Sequence, residues 1–274
     1  MTPPIALTIA GSDSGGGAGI QADLKTFQAF GAFGTSAVTA ITAQNTVGVT
    51  AVHPVPADVV RAQIDAVAID LRPAALKSGM LATRGLVQTV AGAIRAHSLE
   101  RYVLDPVMVA SSGARLLASD AEASILTELV PLATLVTPNL DEASILVGFP
   151  VDDLESMRNA AAAIVEAGAE AALVKGGHLE GDRLIDVFFD GATWREWQRV
   201  RIPSRNTHGT GCTLSAAVAA GLAFGRTLID ATNDALDYLH RAILHARDLG
   251  SGHGPVDHTV EARRESDHSE RADS

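Results

Sequence analysis

The sequence contains one cysteine, Cys212, among 274 residues. A single cysteine excludes a framework of internal disulfides and fits a reducing compartment. Basic residues are outnumbered by acidic ones, 21 to 32, and the formal net charge of −11 argues against nucleic acid or an anionic membrane as the main partner. No apolar run reaches membrane-spanning length, and residues 1–4 lack the basic start of a secretory signal. We therefore expect a soluble, cytoplasmic protein.

The composition is sufficient for one large core, with 47% hydrophobic and 19% charged residues. Short apolar runs typical of buried strands alternate with amphipathic stretches typical of helices. This alternation predicts an α/β fold with a mostly parallel sheet and helices on both faces. Because no linker or shift in composition marks a second domain, we predict one domain over residues 1–260 and a disordered polar tail over 261–274.

The individual elements follow from the same patterns. Strands are expected at residues 5–10 and 35–43, in a segment ending near Lys77, and at 102–105, 171–175, 184–189 and 193–202. Helices are expected from about residue 20 to 30 and at 56–70, 84–96, 119–131 and 152–168, directly after residue 209, and at 227–248.

Residues 206–213, with the sequence Asn-Thr-His-Gly-Thr-Gly-Cys-Thr, precede an alanine-rich segment that is expected to be a helix. The start of a helix has unpaired N–H groups and a partial positive charge, so it binds anions readily. Gly209 and Gly211 allow a ligand to approach the backbone, and a thiol at Cys212 is expected to have its thiolate form favoured. These features suit phosphoryl transfer to a hydroxyl group. An ordinary glycine-rich turn with a buried cysteine explains the same residues equally well.

Polar residues also follow other predicted strands. A glycine-rich loop over residues 11–19 links the first strand to a helix, which is the layout of a ligand-binding turn, but its spacing matches neither the dinucleotide fingerprint nor the P-loop. Gln44 and Asn45 end the second strand, where they either face a ligand or form a turn. Asp105 closes another strand, as a metal or substrate ligand or as a turn former.

Asn139 and Glu142 have the spacing of a helix capping box, and that interpretation is favoured from spacing alone over a carboxylate that holds a magnesium-bound water. Lys175 ends a strand and is followed by two glycines. A lysine there is a suitable point charge for phosphate, or it is simply solvated.

Taken in order, these stretches resemble the hydroxymethylpyrimidine/phosphomethylpyrimidine kinases of thiamine biosynthesis, within the ribokinase-like superfamily. The resemblance extends over residues 5–258 and is carried by segments 7–27, 43–45, 79–81, 104–108, 137–142, 174–178, 206–215 and 252–256. The superfamily usually has aspartate where this sequence has Cys212, and cysteine there is similar to this kinase branch and to some pyridoxal kinases. Thr259 departs from the family, which often has an aromatic residue after Asp257 and His258.

The resemblance implies a three-layer α/β/α ribokinase-like fold and an ATP-dependent kinase with two steps. The enzyme would phosphorylate 4-amino-5-hydroxymethyl-2-methylpyrimidine at its hydroxymethyl group and then convert the monophosphate to the diphosphate. The resemblance also implies Mg²⁺ and a homodimer. A pyridoxal kinase on the same scaffold and a non-catalytic sensor of nucleotides or pyrimidines remain as alternatives.

The resemblance further implies the residues of the site. The residues implied to form the anion hole are Gly209, Thr210, Gly211 and Cys212, with Cys212 as the base. The residues implied to surround the pyrimidine are Gln44, Asp23, Gly11, Ala18, Met80 and Val107. Those implied to bind ATP are Lys175, Asn139 and Thr207. Asp105 and Glu142 would organise Mg²⁺. Asp13 and Thr210 stay open between ligand contact and loop geometry.

Overall fold

The computed structural model describes residues 2–108, 119–177 and 181–262, and nine strands within them form a single sheet. The strands are β1 (Ile5–Asp13), β2 (Phe33–Gln44), β3 (Val49–Pro54), β4 (Ala75–Ser78), β5 (Tyr102–Leu104), β6 (Leu135–Val136), β7 (Ala172–Val174), β8 (Arg183–Phe189) and β9 (Trp194–Val200). Their order across the sheet is β3-β2-β1-β4-β5-β6-β7-β8-β9. The run from β2 to β7 is parallel, whereas β3, β8 and β9 pair antiparallel with their neighbours.

Helices cover both faces of the sheet. They are α1 (Gly19–Phe30), α2 (Ala57–Asp70), α3 (Arg84–His97), α4 (Ser119–Ser124), α5 (Leu140–Val147), α6 (Leu154–Glu166), α7 (Thr210–Ala223) and α8 (Leu228–Leu244). One hydrophobic core lies under α1, α7 and α8, and the other lies under α2, α3, α5 and α6. The predicted three-layer α/β/α fold is confirmed.

The alanine-rich helix α7 is buried along almost its whole length, from Thr213 to Ala223. Its small side chains allow close packing, and a Cβ atom on Gly221 would lie 2.8 Å from the Cβ atom of Ala231 on α8. A helix that is apolar all round belongs in a core. In the described part of the chain, no helix has both the length and the apolar character needed to cross a bilayer.

One strand was missed, and two predicted helices end at other residues. The strand β3 was missed because its side chains are mostly exposed and show no apolar alternation. The helix expected at 119–131 ends at Ser124 and continues as a π-helical turn and a 3-10 turn around Pro131, which lacks a backbone N–H. The last helix ends at Leu244 rather than near residue 248. Of the predicted tail, Ala262 is buried, and residues 263–274 lie outside the described residues.

The order of the strands positions the functional site. The strand β1 has β2 on one side and β4 on the other, and the helices that follow β1 and β4 lie on opposite faces of the sheet. A sheet whose connections diverge in this way has a crevice beyond the carboxyl ends of its strands. The glycine-rich loop after β1 and the residues that follow β4 and β5 therefore meet at this edge.

Candidate active site

A cavity of about 720 Å³ lies at the carboxyl ends of the parallel strands. Every predicted site residue except Asp23 lines it. Those that do are Gly11, Ala18, Gln44, Met80, Asp105, Val107, Asn139, Glu142, Lys175, Thr207, Gly209, Thr210, Gly211 and Cys212. Residues that are far apart in the sequence are therefore brought together in a single cavity.

The turn at the start of α7 forms an anion cradle on the cavity wall. Gly209 is the N-cap, with a φ of 82°, and a Cβ atom there would collide with the carbonyl oxygen of Gly17. Only glycine fits this left-handed conformation and this contact. A Cβ atom on Gly211 would lie 3.2 Å from Nζ of Lys175, so the cradle sits directly over that ammonium group.

Lys175 and Asp105 form an ion pair under the cradle. The Nζ atom of Lys175 lies 3.3 Å from Oδ1 of Asp105, and Oγ of Ser215 donates to Oδ2 of Asp105 at 3.3 Å. Burial alone lowers the pKa of Lys175, but the carboxylates of Asp105 and Glu142 outweigh it and raise that pKa. The ammonium group of Lys175 is therefore charged and available to phosphate.

Glu142 forms the predicted cap. Its backbone N–H donates to Oδ1 of Asn139, and its Oε2 accepts from the backbone N–H of Asn139, both at 2.9 Å. The capping box is therefore confirmed. The charges of the ion pair also act on Glu142: burial raises its pKa to about 7, the Asp105 carboxylate adds to this rise, and the Lys175 ammonium group opposes it. A carboxyl group with that pKa changes its charge near neutral pH.

The described residues contain no cluster of three or more His, Cys, Asp or Glu side chains that could hold a metal ion. A divalent cation beside Asp105 and Glu142 would therefore depend on two carboxylates together with oxygens from substrate and water. Mg²⁺ is commonly held in this way, with phosphate oxygens completing its coordination. The donor set present here fits that arrangement.

The expectation that the thiolate of Cys212 is favoured is wrong. Cys212 is half-buried, and loss of solvent raises the pKa of its thiol to about 11. The nearby ammonium group of Lys77 opposes this shift, but burial has the larger effect. The thiol is therefore neutral at physiological pH, although it lies at the start of a helix.

The predicted direct contact between Asp23 and substrate is not supported, because Asp23 is fully buried and does not line the cavity. Its Oδ1 and Oδ2 atoms lie 3.0 and 2.9 Å from Nζ of Lys77, and Oγ1 of Thr8 donates to Oδ2 at 2.6 Å. Lys77 lines the cavity and was missed as a functional residue. The available signal was a single charge inside the buried strand Ala75–Ser78, which requires a buried partner.

The side chain of Asp13 organises the glycine-rich loop. Its carboxylate accepts hydrogen bonds from the backbone N–H groups of Gly15 at 2.8 Å, Gly17 at 3.0 Å and Ala18 at 2.9 Å. It also lies 2.9 Å from Nε2 of His208. These bonds show that Asp13 has a role in loop geometry, and because Asp13 also lines the cavity, contact with a ligand stays a prediction.

Sequence reasoning also missed Asp186 and Arg199, which line the cavity beside Lys175. They form an ion pair between β8 and β9, and Oδ1 of Asp186 accepts from the backbone N–H of Gly176 at 3.0 Å. Charged residues on strands such as β8 and β9 are typical of a solvated face. Only the tertiary structure therefore identifies Asp186 and Arg199 as part of the site.

A family model described as phosphomethylpyrimidine kinase matches residues 13–257. The chain belongs to the phosphomethylpyrimidine kinase family. It is 55% identical over 257 residues to the hydroxymethylpyrimidine/phosphomethylpyrimidine kinase of Rhizobium meliloti (strain 1021), which covers 93% of this chain and 96% of that one.

Two solved structures are similar to this chain over most of its length. An ADP complex of Bacillus subtilis pyridoxal kinase has a TM-score of 0.88 and 38% identity, covering 94% of this chain and 98% of that chain. The phosphomethylpyrimidine kinase from Clostridium difficile 630 has a TM-score of 0.79 and 38% identity, with coverages of 88% and 99%. The predicted family and the prediction of a kinase are confirmed.

Proposed function

We propose that this protein transfers the γ-phosphoryl group of ATP to the hydroxymethyl group of 4-amino-5-hydroxymethyl-2-methylpyrimidine, and then phosphorylates the resulting monophosphate. The observation that carries the proposal is the meeting of Gln44, Lys175 and the cradle at residues 209–212 in one cavity. Phosphoryl transfer depends mainly on holding donor and acceptor in line and on stabilising negative charge. Membership of a kinase family supports ATP as the donor.

In this proposal Gln44 recognises the pyrimidine, because its side-chain amide offers both a donor and an acceptor. Met80 and Val107 pack against the ring, and Gly11 and Ala18 leave space for it. A Cβ atom on Gly11 would lie 3.3 Å from Sδ of Met80, so any larger residue there would narrow the pocket. The aminopyrimidine therefore fits between an apolar wall and one amide group.

The residues proposed to bind ATP lie on the other side of the cavity. The backbone N–H groups of the cradle and the ammonium group of Lys175 would bind phosphate oxygens, with Asn139 and Thr207 beside them. Asp105 and Glu142 would hold Mg²⁺, which when bound neutralises charge on the transferring phosphates. Glu142 carries out this role in its ionised form, which its pKa of about 7 makes available above neutral pH.

Cys212 is proposed to accept the proton of the substrate hydroxyl group. As the oxygen forms its bond to the γ-phosphorus, the bond from that phosphorus to the bridging oxygen breaks, ADP leaves, and the proton passes to the Cys212 sulfur. This requires the thiolate, which is a minor species because the pKa is about 11. The second phosphorylation does not need a base, since its nucleophile is a phosphate oxygen that is already ionised.

An assay for ADP release tests the proposal, with the aminopyrimidine, its monophosphate and pyridoxal as separate acceptors, and with and without Mg²⁺. We expect turnover of the first two only with Mg²⁺, with the monophosphate and diphosphate identified by mass. A higher kcat/KM for pyridoxal would favour the pyridoxal kinase alternative. The structural similarity to Bacillus subtilis pyridoxal kinase is the observation that supports this alternative. Binding without any turnover would favour a sensor.

We also propose that the protein is a homodimer, which is the state implied by the family resemblance. Light scattering on the purified protein tests this directly. A mass near 28.4 kDa, that of one chain, would contradict it.

A further inference from the structure

Four charged side chains of alternating sign form a row along the edge of the sheet where its parallel strands end. This charge row consists of Asp105 after β5, Lys175 after β7, Asp186 on β8 and Arg199 on β9, and all four residues line the cavity. The Nζ atom of Lys175 lies 3.3 Å from Oδ1 of Asp105, and the guanidinium group of Arg199 contacts Oδ2 of Asp186. Lys175 therefore stands between two acidic residues, and the second of them is paired with Arg199.

The pairing of the strands places the end of this row on one face of the sheet. In the antiparallel pair of β7 and β8, Val174 lies opposite Val187, so the next pair in this register is Lys175 and Asp186. In the pair of β8 and β9, Arg199 is a diagonal neighbour of Asp186 on the same face. Opposed residues of antiparallel strands have Cβ atoms about 4.5–5.5 Å apart, and diagonal neighbours are within reach of long side chains. Lys175 and Arg199 therefore approach Asp186 from opposite sides.

The buried carboxylate of Asp186 accepts hydrogen bonds at both oxygens from groups that can only donate. Its Oδ1 accepts from the backbone N–H of Gly176 at 3.0 Å, and its Oδ2 accepts from Arg199. Burial raises the pKa of Asp186, and the guanidinium group of Arg199 opposes this rise more strongly than the ammonium group of Lys175 does. Arg199 is therefore the main counter-charge of Asp186.

The ammonium group of Lys175 is directed away from Asp186. Burial lowers the pKa of Lys175, and the carboxylates that outweigh this effect are those of Asp105 and Glu142. A Cβ atom on Gly211 would lie 3.2 Å from Nζ of Lys175, so the ammonium group lies under the cradle. Without Arg199, the charge of Asp186 would lose its main partner, and it would attract the ammonium group of Lys175. The same charge would repel phosphate oxygens in the cavity.

The backbone that follows Lys175 is held independently of Arg199. The N–H of Gly176 donates to Asp186, and the carbonyl oxygen of Gly177 accepts from Nη1 of Arg201 at 2.9 Å. Loss of the Arg199 side chain leaves both of these contacts in place. The expected consequence is therefore a shift of the Lys175 side chain and not of the strand that carries it.

We propose that Arg199 is a positioning residue: by pairing with Asp186, it leaves the ammonium group of Lys175 beside Asp105 and under the cradle, where it meets the phosphates of ATP. This inference rests on the function proposed above, which makes ATP the ligand of Lys175. Arg199 acts through Asp186 and not through contact with the nucleotide. Its removal should therefore weaken the use of ATP and leave the use of the acceptor unchanged.

The test measures KM for ATP with Mg²⁺ and KM for the aminopyrimidine at about pH 8, where carboxyl groups are ionised. Arg199→Met removes the charge, and we expect KM for ATP to rise about tenfold or more while KM for the aminopyrimidine does not change. Arg199→Lys restores a cation and should recover most of the wild-type KM for ATP. Arg199→Met/Asp186→Asn removes the charge that attracts Lys175, keeps an oxygen for Gly176, and should also recover it.

An ion pair on the same strand provides the control. Arg158→Met breaks the exposed pair with Glu196 of β9 and should leave both KM values unchanged. An unchanged KM for ATP in Arg199→Met overturns the proposal. A defect that persists in Arg199→Met/Asp186→Asn also overturns it, because Arg199 would then act on ATP directly. An equal rise in KM for ATP and for the aminopyrimidine contradicts it as well, since a general disturbance of the cavity would explain that result.

A second variant covers the case in which Arg199→Met does not fold. Arg199→Gln still donates a hydrogen bond to Asp186 but has no charge, and an unchanged KM for ATP in this variant overturns the proposal. A failure of the proposed function has a different signature, namely no turnover of the aminopyrimidine or its monophosphate by the wild type. Calorimetric binding of ATP to the wild type and the same variants then decides the role of Arg199 without an acceptor. A wild type that binds no ATP overturns both proposals.

Discussion

The ammonium group of Lys77 lies within 3.0 Å of both carboxylate oxygens of Asp23, and neither side chain is exposed to solvent. The two residues come from β4 and α1, 54 positions apart in the sequence. Lys77 forms part of the cavity wall, whereas Asp23 lies behind it. The ammonium group of Lys77 partly offsets the effect of burial on the pKa of the Cys212 thiol, whereas the Asp23 carboxylate adds to it.

Loss of Lys77 alone should destabilise the protein strongly. Lys77→Met leaves the charge of Asp23 buried without a partner, and we expect a loss of about 3–5 kcal/mol in the free energy of unfolding, measured with urea. The double variant Lys77→Met/Asp23→Asn removes both charges and should recover part of that loss. Arg158→Met breaks the exposed pair with Glu196 and should cost less than about 1 kcal/mol. Equal losses in Lys77→Met and Arg158→Met would contradict a buried ion pair.

The thiol of Cys212 should react slowly in the free protein. With its pKa raised to about 11, the thiolate is a minor species at neutral pH, and the rate of alkylation by iodoacetamide should rise about tenfold per pH unit from about pH 7 to about pH 9. Because this is the single cysteine in the sequence, loss of free thiol in the wild type reports on this site alone. A rate that levels off near neutral pH would show that the helix start does favour the thiolate.

The two phosphorylation steps should differ in their need for Cys212. Cys212→Ser should lower kcat for the aminopyrimidine by roughly 10²–10⁴-fold, because a hydroxyl nucleophile loses its proton in the reaction. The same variant should keep most of its kcat for the monophosphate, since that nucleophile is already ionised. Unchanged turnover of the aminopyrimidine would leave Cys212 as a packing residue beside the cradle. Equal losses in both steps would instead indicate a disturbed cradle.

The two roles of Glu142 can be separated by Glu142→Gln, which keeps a side-chain oxygen for the cap and removes the charge. We expect kcat to fall and the requirement for Mg²⁺ to rise. The folded state binds the proton of Glu142 more tightly than the unfolded state, with a pKa of about 7 against 4.5, so the wild type loses stability as the pH rises from about 4.5 to about 7. The variant lacks this loss, and its free energy of unfolding relative to wild type should therefore increase over that range.

A helix cap far from the cavity provides the control for Glu142→Gln. Asp153 caps α6 in a second capping box, where its Oδ1 accepts from the backbone N–H of Ser156 at 2.7 Å. Asp153→Ala should lower the melting temperature without changing turnover or the response to Mg²⁺. If Glu142→Gln behaves in the same way as Asp153→Ala, Glu142 is a cap and does not organise a metal.

The cradle should not tolerate a methyl group at Gly211. A Cβ atom there would lie 3.2 Å from Nζ of Lys175 and 3.6 Å from Oδ2 of Asp105, so Gly211→Ala forces the ion pair to move. We expect kcat to fall by about tenfold or more with little change in stability. Gly85→Ala is the matched control, because a Cβ atom on this residue of α3 meets nothing within 4 Å, and it should stabilise the protein by about 0.5–1 kcal/mol. Equal kcat values for the two variants would contradict the proposed cradle.

The sequence alone determined the features that depend on neighbouring residues. Alternation of apolar runs with amphipathic stretches predicted the layered sheet. The spacing of Asn139 and Glu142 predicted the cap of α5, and the glycines around Thr210 predicted the start of α7. These patterns act over three or four residues, so they can be read directly from the order of the amino acids. The resemblance of the motifs to a kinase family then connected them to a chemistry.

The tertiary structure decided what depends on distant residues. Desolvation of Cys212 reversed the expected effect of the helix start, because burial depends on how α7 packs against the sheet. Asp23, which had been expected to contact substrate, instead forms a buried ion pair with Lys77. His208 contacts Gln44 across 164 positions of sequence. Ion pairing and burial are set by whichever groups the fold brings within a few ångströms, and a linear pattern contains no such distances.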